Sequence, residues 1–222
     1  MKLYIDIPLI EQEKDSVACG LACLQMIYKY YHKPISYDQL KKDLKLDTIG
    51  GYLPQLGNHF LQNNFKTSII THHPKLVMVD DKDKKSEDLI EQFYEYKNKS
   101  ISSKQDLKVL DLFIKYMESG GELRAKVPNF DDINRELVNK RPLIALINNS
   151  VFYAKQPERP FSDIFHLVVV TGYDDKFTYL NDPHWKFGGK VRYSNQLFLY
   201  ALYSSTLGDL DNGSLLTIRK NP

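Results

Sequence analysis

The stretch GLACLQMIYKYY, residues 20–31, decides the fold because it carries the clearest buried-helix pattern in the chain. One helix face is marked by apolar residues at three- and four-residue spacing: Leu21, Leu24, Ile27 and Tyr31. Four further residues widen that face: Ala22, Cys23, Met26 and Tyr30. The pattern predicts a largely buried helix that ends at Pro34.

Two more helices and a strand are predicted directly after this segment. Ser36 is an N-cap serine, and Gln39 follows it at the spacing of a capping box, so a second short helix begins here. A third helix over about 53–63 leads into a strand at 65–70. The N-terminal part of the chain is therefore expected to be mainly helical.

The C-terminal part of the chain changes to strand patterns. A short helix from about residue 129 precedes a series of apolar strands. These strands are predicted at 143–148, 165–173, 176–182 and 215–219. Helices that come first and strands that come later predict an α+β fold, with the N-terminal helices packed on an antiparallel sheet.

A charged stretch separates the two parts. Residues 80–88 mix both charge signs without apolar anchors, and two amphipathic helices are predicted near 87–97 and 104–118. A chain of 222 residues suits one sizeable domain. We therefore predict a single domain over 1–222, with a charged helical insertion at about 80–121.

Composition excludes several classes of protein. The hydrophobic fraction of 42% is typical of a globular chain, and 30 Lys and Arg against 28 Asp and Glu give no excess charge for a nucleic-acid partner. The longest apolar runs, such as 167–170, are far shorter than the roughly 20 residues of a membrane span. With no apolar signal segment at the N-terminus, the chain is predicted to be cytoplasmic.

Cys19 and Cys23 are the only cysteines, and they stand four residues apart. A disulfide between them would have poor geometry in a helix. No second Cys pair or helical His pair accompanies them, so no metal site is predicted. Two inert buried thiols are one interpretation. The other interpretation gives the two cysteines different roles. Cys19 lies at the helix N-terminus, where a thiolate is favoured, while Cys23 lies on the packed face and is a core residue.

His166 is the imidazole partner that a thiolate nucleophile requires. It begins the most hydrophobic strand of the chain, where burial without a polar partner would be costly. A hairpin turn at 173–176 would place Asp182 opposite His166, where a carboxylate can orient the ring. A purely structural His–Asp pair is the alternative for these two residues, but it leaves Cys19 unused.

Taken together, these motifs resemble a known family. The set comprises Gln12, CGLACLQMI at 19–27, HLVVVTGY at 166–173 and NDP at 181–183. It is similar to the papain-like cysteine peptidases related to bacteriocin-processing, double-glycine leader peptidases, here as a stand-alone domain. The resemblance covers roughly 5–70 and 129–185, and it implies a papain-like fold.

The resemblance also implies roles for individual residues. Cys19 corresponds to the nucleophile, His166 to the general acid and base, Asp182 to the orienting acid and Gln12 to an oxyanion donor beside the Cys19 backbone N–H. Two departures stand out. Gln12 lies seven residues before Cys19 where six are expected, so its loop must bulge, and Ala18 replaces the usual acidic residue before the cysteine.

The function that follows is hydrolysis of peptide bonds through a thioester acyl-enzyme, with a peptide or protein as substrate and no metal or organic cofactor. Two alternatives stay open from sequence. One is a non-catalytic peptide-binding domain of the same shape. The other is a thiol acyltransferase, in which an amine or thiol replaces water as the acceptor.

Overall fold

The computed structural model describes residues 3–46, 48, 50–98, 103–154 and 165–221. The helices in these ranges are α1 (Cys19–Tyr30), α2 (Tyr37–Leu44), α3 (Leu53–Gln62), α4 (Ser86–Asn98), α5 (Lys104–Glu118), α6 (Phe130–Val138) and α7 (Asn195–Ser204). The strands are β1 (Leu3–Tyr4), β2 (Phe65–Thr71), β3 (Glu122–Ala125), β4 (Leu143–Asn148), β5 (Phe165–Tyr173), β6 (Phe177–Asp182), β7 (Gly189–Ser194) and β8 (Leu215–Lys220). In this part of the chain no helix is both long enough and apolar enough to cross a membrane.

The strands form one sheet in the order β3-β2-β8-β4-β5-β6-β7, with β1 beside β5. The predicted α+β architecture is confirmed. The pairings are antiparallel except for β2 and β3, which run parallel. A parallel pair needs a long crossover connection, and α4 and α5 supply it.

Helix α1 positions the N-terminal part of the site. Its apolar face is buried in the core, and it packs against β5. The helix stops before Pro34 because His32 adopts a left-handed conformation at φ 57°. Lys33 N–H then bonds to Tyr28 O at 2.9 Å, which is the closing bond of a Schellman motif. The first residue of the helix, Cys19, therefore lies against the beginning of β5.

The segment between β2 and β3 contributes to the core. Phe93 of α4 and Phe113 of α5 are fully buried, and their rings pack edge to face with centroids 6.1 Å apart. Helix α5 also packs on α3. Residues 99–102 lie outside the described residues. The interpretation of 80–121 as an insertion on a single domain stays a prediction.

Four of these helices and strands were not predicted from the sequence: β1, β3, β7 and α7. Strand β7 has no fully buried residue, so it lacks the apolar run by which the inner strands are recognised. Helix α7 carries apolar residues on several faces, which obscures the helical period.

The register of the β5–β6 hairpin differs from the prediction. Val169 pairs with Asn181, which places Asp182 opposite position 168 rather than opposite His166. The turn causes the difference, because it lies one residue later than expected and is closed by Asp174 N–H bonding to Phe177 O at 2.9 Å. A bulge after Val170 offsets only part of the resulting shift in the pairing. Asp182 therefore reaches His166 diagonally across the sheet.

Candidate active site

Cys19 is the first residue of α1, and its side chain is partly exposed. Burial alone would raise the pKa of its thiol. The charge and the hydrogen bond of His166 oppose burial, together with the backbone N–H groups of Leu167 and Gly20, and the net pKa lies below the ordinary value. A cysteine at the start of a helix with an imidazole partner favours the thiolate.

His166 joins Cys19 to Asp182. Its Nε2 lies 2.8 Å from Asp182 Oδ1, and both side chains are buried. Since Nε2 is engaged with the carboxylate, Nδ1 is the nitrogen left for Cys19. Burial alone would lower the pKa of His166, but the charges of Asp182 and Cys19 raise it to about 10. The arrangement favours a thiolate–imidazolium pair at neutral pH.

Asp182 is held as a carboxylate by several donors. The hydroxyl of Tyr153 donates to Oδ2 at 2.9 Å, the backbone N–H of His184 donates to Oδ1 at 2.9 Å, and Asn149 Nδ2 lies 3.5 Å from Oδ2. Burial alone would raise the pKa of Asp182, but His166 and these donors lower it. The acid is therefore ionised and fixed in orientation.

Asn149 and Tyr153 were missed by sequence reasoning, since no motif marks them. A signal was nevertheless present in the strand pattern. Strand β4 pairs with β5, and Ile147 lies opposite His166, so residues directly after β4 arrive beside the imidazole. A polar or aromatic residue just beyond the strand at 143–148 was thus a candidate partner for the buried acid.

Gln12 is buried and lies next to the segment that follows Asp182. Its backbone N–H donates to Pro183 O at 2.8 Å, and its side-chain Nε2 donates to Ser16 O at 2.6 Å. The side-chain oxygen has no partner in the described part of the chain. Asp15 is left-handed at φ 55°, which gives the loop the bulge that the seven-residue spacing requires. One Nε2 proton stays available for another acceptor.

Cys23 contrasts with Cys19 although it lies only one turn further along α1. It is fully buried, and its thiol donates to Leu167 O at 3.4 Å. Burial raises the pKa of Cys23 well above the ordinary value, and the negative charges of Cys19 and Asp182 add to the increase. This thiol is therefore protonated and inert.

A cleft with about 350 Å³ of free space opens at Cys19 and His166. Its walls come from three parts of the chain: residues 51–52 before α3, the adjoining ends of β4 and β5, and the loop 209–212 before β8. Among the described residues, no group of three or more His, Cys, Asp and Glu side chains could hold a metal ion.

Comparison with known families identifies the chain. The model of the Peptidase_C39 like family matches residues 4–205, and the chain belongs to this family. The matched range includes the charged segment at 80–121, which the resemblance seen in the sequence did not cover. A comparison with curated protein sequences gives no significant match.

Solved structures of the same family share the fold. A double glycine motif protease from an AMS/PCAT transporter, in complex with the leader peptide, aligns with TM-score 0.50 and 16% identity over 98% of this chain and 94% of that one. The peptidase domain of Streptococcus ComA, a bifunctional ABC transporter involved in a quorum-sensing pathway, aligns with TM-score 0.52 and 13% identity over 97% and 100%.

A third structure, described as a C39-like peptidase from Bacillus anthracis, aligns with TM-score 0.51 and 13% identity over 100% of this chain and 98% of that one. At these identities the likeness establishes the fold. The predicted resemblance to papain-like, bacteriocin-processing peptidases is confirmed at the level of family and fold.

Proposed function

We propose that this member of the Peptidase_C39 like family is a cysteine peptidase that hydrolyses peptide bonds through Cys19, His166, Asp182 and Gln12. One observation carries the proposal: Cys19 and His166 line the same cleft, and His166 Nε2 lies 2.8 Å from Oδ1 of the buried Asp182 carboxylate. A His–Asp pair with a purely structural role would not require a thiol beside the histidine.

In the first step, Cys19 Sγ attacks the carbonyl carbon of the scissile amide. The new S–C bond forms, the carbonyl oxygen becomes negative, and the C–N bond then breaks. The leaving nitrogen takes the proton from His166 Nδ1 and departs as an amine. The product on the enzyme is a thioester, and His166 is now neutral.

The negative oxygen of the tetrahedral intermediate requires donors beside Cys19. The backbone N–H of Cys19 at the start of α1 is one candidate, since Ala18 at the N-cap offers no side-chain acceptor that would compete for the N–H groups of the first turn. The second Nε2 proton of Gln12 is the other. The first Nε2 proton is donated to Ser16 O at 2.6 Å, which holds the amide in place.

In the second step, neutral His166 takes a proton from water while the water oxygen attacks the thioester carbon. The S–C bond breaks, the carboxylic acid product leaves, and Cys19 returns as a thiolate beside the imidazolium. Asp182 keeps its charge throughout and holds the imidazole so that Nδ1 faces the sulfur.

The substrate is a peptide or protein. A structural neighbour is a double glycine motif protease seen with its leader peptide, so peptides that contain a Gly–Gly pair before the cleaved bond are the first to test.

Incubation of the purified protein with a panel of Gly–Gly and non-Gly peptides, followed by mass spectrometry, tests this function. We expect a single cleavage site that requires Cys19, and a trapped thioester at Cys19 after acid quench. Cleavage retained by Cys19→Ala would contradict the mechanism. Binding without cleavage by the unaltered protein would favour the non-catalytic alternative. Transfer of the acyl group to an added amine in preference to water would favour the acyltransferase.

A further inference from the structure

The cleft at Cys19 ends in a buried carboxylate that the mechanism does not use. Asp211 lines this cleft and is 1% exposed. Its Oδ2 accepts the backbone N–H of Leu53 at 2.7 Å, at the start of α3. Its Oδ1 has no hydrogen-bond partner within the described ranges. Capping of α3 therefore accounts for one oxygen of Asp211 and leaves the other unexplained.

The surroundings of Asp211 add to its negative character. Asp209 lines the same cleft, and a neutral amide, Gln105 Nε2, lies 3.3 Å from its Oδ2. Asn212 also lines the cleft, and its Nδ2 has no partner among the described residues although the side chain is 2% exposed. Burial raises the pKa of Asp211 to about 7, and the charge of Asp209 contributes to the increase.

An unpartnered buried carboxylate oxygen weakens the folded state unless something binds it. A cation would form a charge-assisted hydrogen bond with this oxygen, which is the strongest interaction available to it. The same positive charge would reduce the electrostatic repulsion between Asp211 and Asp209. An acidic substrate group would be repelled by both carboxylates. The unpartnered Nδ2 of Asn212 can donate to a carbonyl of the same bound peptide.

We propose that Asp211, assisted by Asp209, forms a subsite for a positively charged nitrogen of the peptide substrate, close to the bond that Cys19 attacks. The nitrogen belongs to a lysine or arginine side chain or to a free amino terminus. This inference rests on the proposed function, because it assigns a substrate to the same cleft. It makes Asp211 a specificity-determining residue and not a catalytic one.

Peptide binding to the Cys19→Ala protein tests the inference without any catalytic step. The probes are end-capped peptides with a central Gly–Gly pair and one lysine at each position around it in turn. Each is matched with a peptide that carries Nε-acetyl-lysine, which keeps the length and removes the charge. A further pair compares a free with an acetylated amino terminus. Dissociation constants are measured at pH 8 by fluorescence polarisation.

At one position we expect the charged peptide to bind about tenfold or more tightly than its neutral match. The ratio should fall towards one in the Cys19→Ala, Asp211→Asn protein, in which asparagine can still accept the Leu53 N–H. Ratios near one at every position, no binding by any charged peptide, or a ratio unchanged by Asp211→Asn would each overturn the inference. The cleavage assay reports separately on the proposed function.

Discussion

His166 Nε2 lies 2.8 Å from Asp182 Oδ1, although the two residues are not paired across the β5–β6 hairpin. The hairpin register places Asp182 two positions away, and the contact runs diagonally. Tyr153 and the backbone N–H of His184 hold the carboxylate in this direction. The consequence is that His166 presents Nδ1 to Cys19, as a thiolate–imidazolium pair requires.

The rate of peptide hydrolysis should depend on pH through both members of this pair. Cys19 must be deprotonated, and its pKa lies below the ordinary value of 9.0, so activity should already be present near neutral pH. His166 must be protonated, so kcat/KM should fall as pH rises through about 10. A profile that only begins to rise near pH 9 would show that Cys19 behaves as an ordinary thiol.

Asp182→Asn should reduce kcat on the order of 100-fold or more, because asparagine can occupy the site but cannot stabilise the imidazolium. With the charge removed, the pKa of His166 should fall, so the alkaline limit of the active pH range should move to lower pH. Steady-state kinetics across pH measure both effects.

Tyr153→Phe is the matched control for this change. It removes a single hydrogen bond to Asp182 Oδ2 and keeps the carboxylate, so its effect on kcat should be much smaller. Equal losses of kcat in Asp182→Asn and Tyr153→Phe would show that the charge of Asp182 does not stabilise the imidazolium.

Gln12→Ala should lower kcat on the order of 100-fold if the amide stabilises the oxyanion. The rate at which Cys19 reacts with iodoacetamide should not change, since alkylation forms no oxyanion. The midpoint temperature of thermal unfolding reports separately on any stability lost with the hydrogen bond from Gln12 to Ser16 O. If hydrolysis is unaffected, or if alkylation slows in parallel with it, Gln12 is not an oxyanion donor.

Asp211→Asn should stabilise the protein in a pH-dependent way. The ordinary Asp pKa is 3.8, and that of folded Asp211 is raised to about 7, so the folded protein binds this proton more tightly than the unfolded chain does. The unaltered protein therefore loses stability as pH rises from about 4 to about 7, and the asparagine variant does not.

The advantage of the variant should grow across that interval and level off above it, reaching on the order of 2–4 kcal/mol. Urea unfolding at pH 5 and pH 8 measures the difference. A variant less stable than the unaltered protein at pH 8 would show that the Asp211 charge stabilises the fold.

The N-terminal helix and the inner strands could be predicted because their apolar periodicity is strong. Residues 20–31 repeat every three or four positions, and 165–173 are apolar almost throughout. The site residues Cys19 and His166 stood out for the same reason: each is a reactive group at the end of an otherwise apolar element. Both residues line the same cleft, while their catalytic roles stay proposals.

Contacts that depend on three-dimensional register were beyond the sequence. The later turn shifts the partner of every residue along β6, and the bulge after Val170 offsets only part of that shift, so Asp182 was identified from a register that proved wrong. Asp211 lies far from Leu53 in the chain, and only the fold brings its carboxylate to the cleft. Strand β7 alternates without an apolar run, helix α7 lacks a clear period, and both were missed.

Activation of Cys19 by His166 is required for the first step of the proposed hydrolysis. The decisive measurement is the rate of alkylation of each cysteine by iodoacetamide at pH 7, read by peptide mass spectrometry. Cys23→Ala serves as the matched control, since it removes the second thiol and leaves the pair intact. We expect Cys19 to react at least tenfold faster than Cys23, and His166→Ala to slow it by a similar factor. Equal rates at the two cysteines, or a Cys19 rate that is unchanged in His166→Ala, would contradict the account.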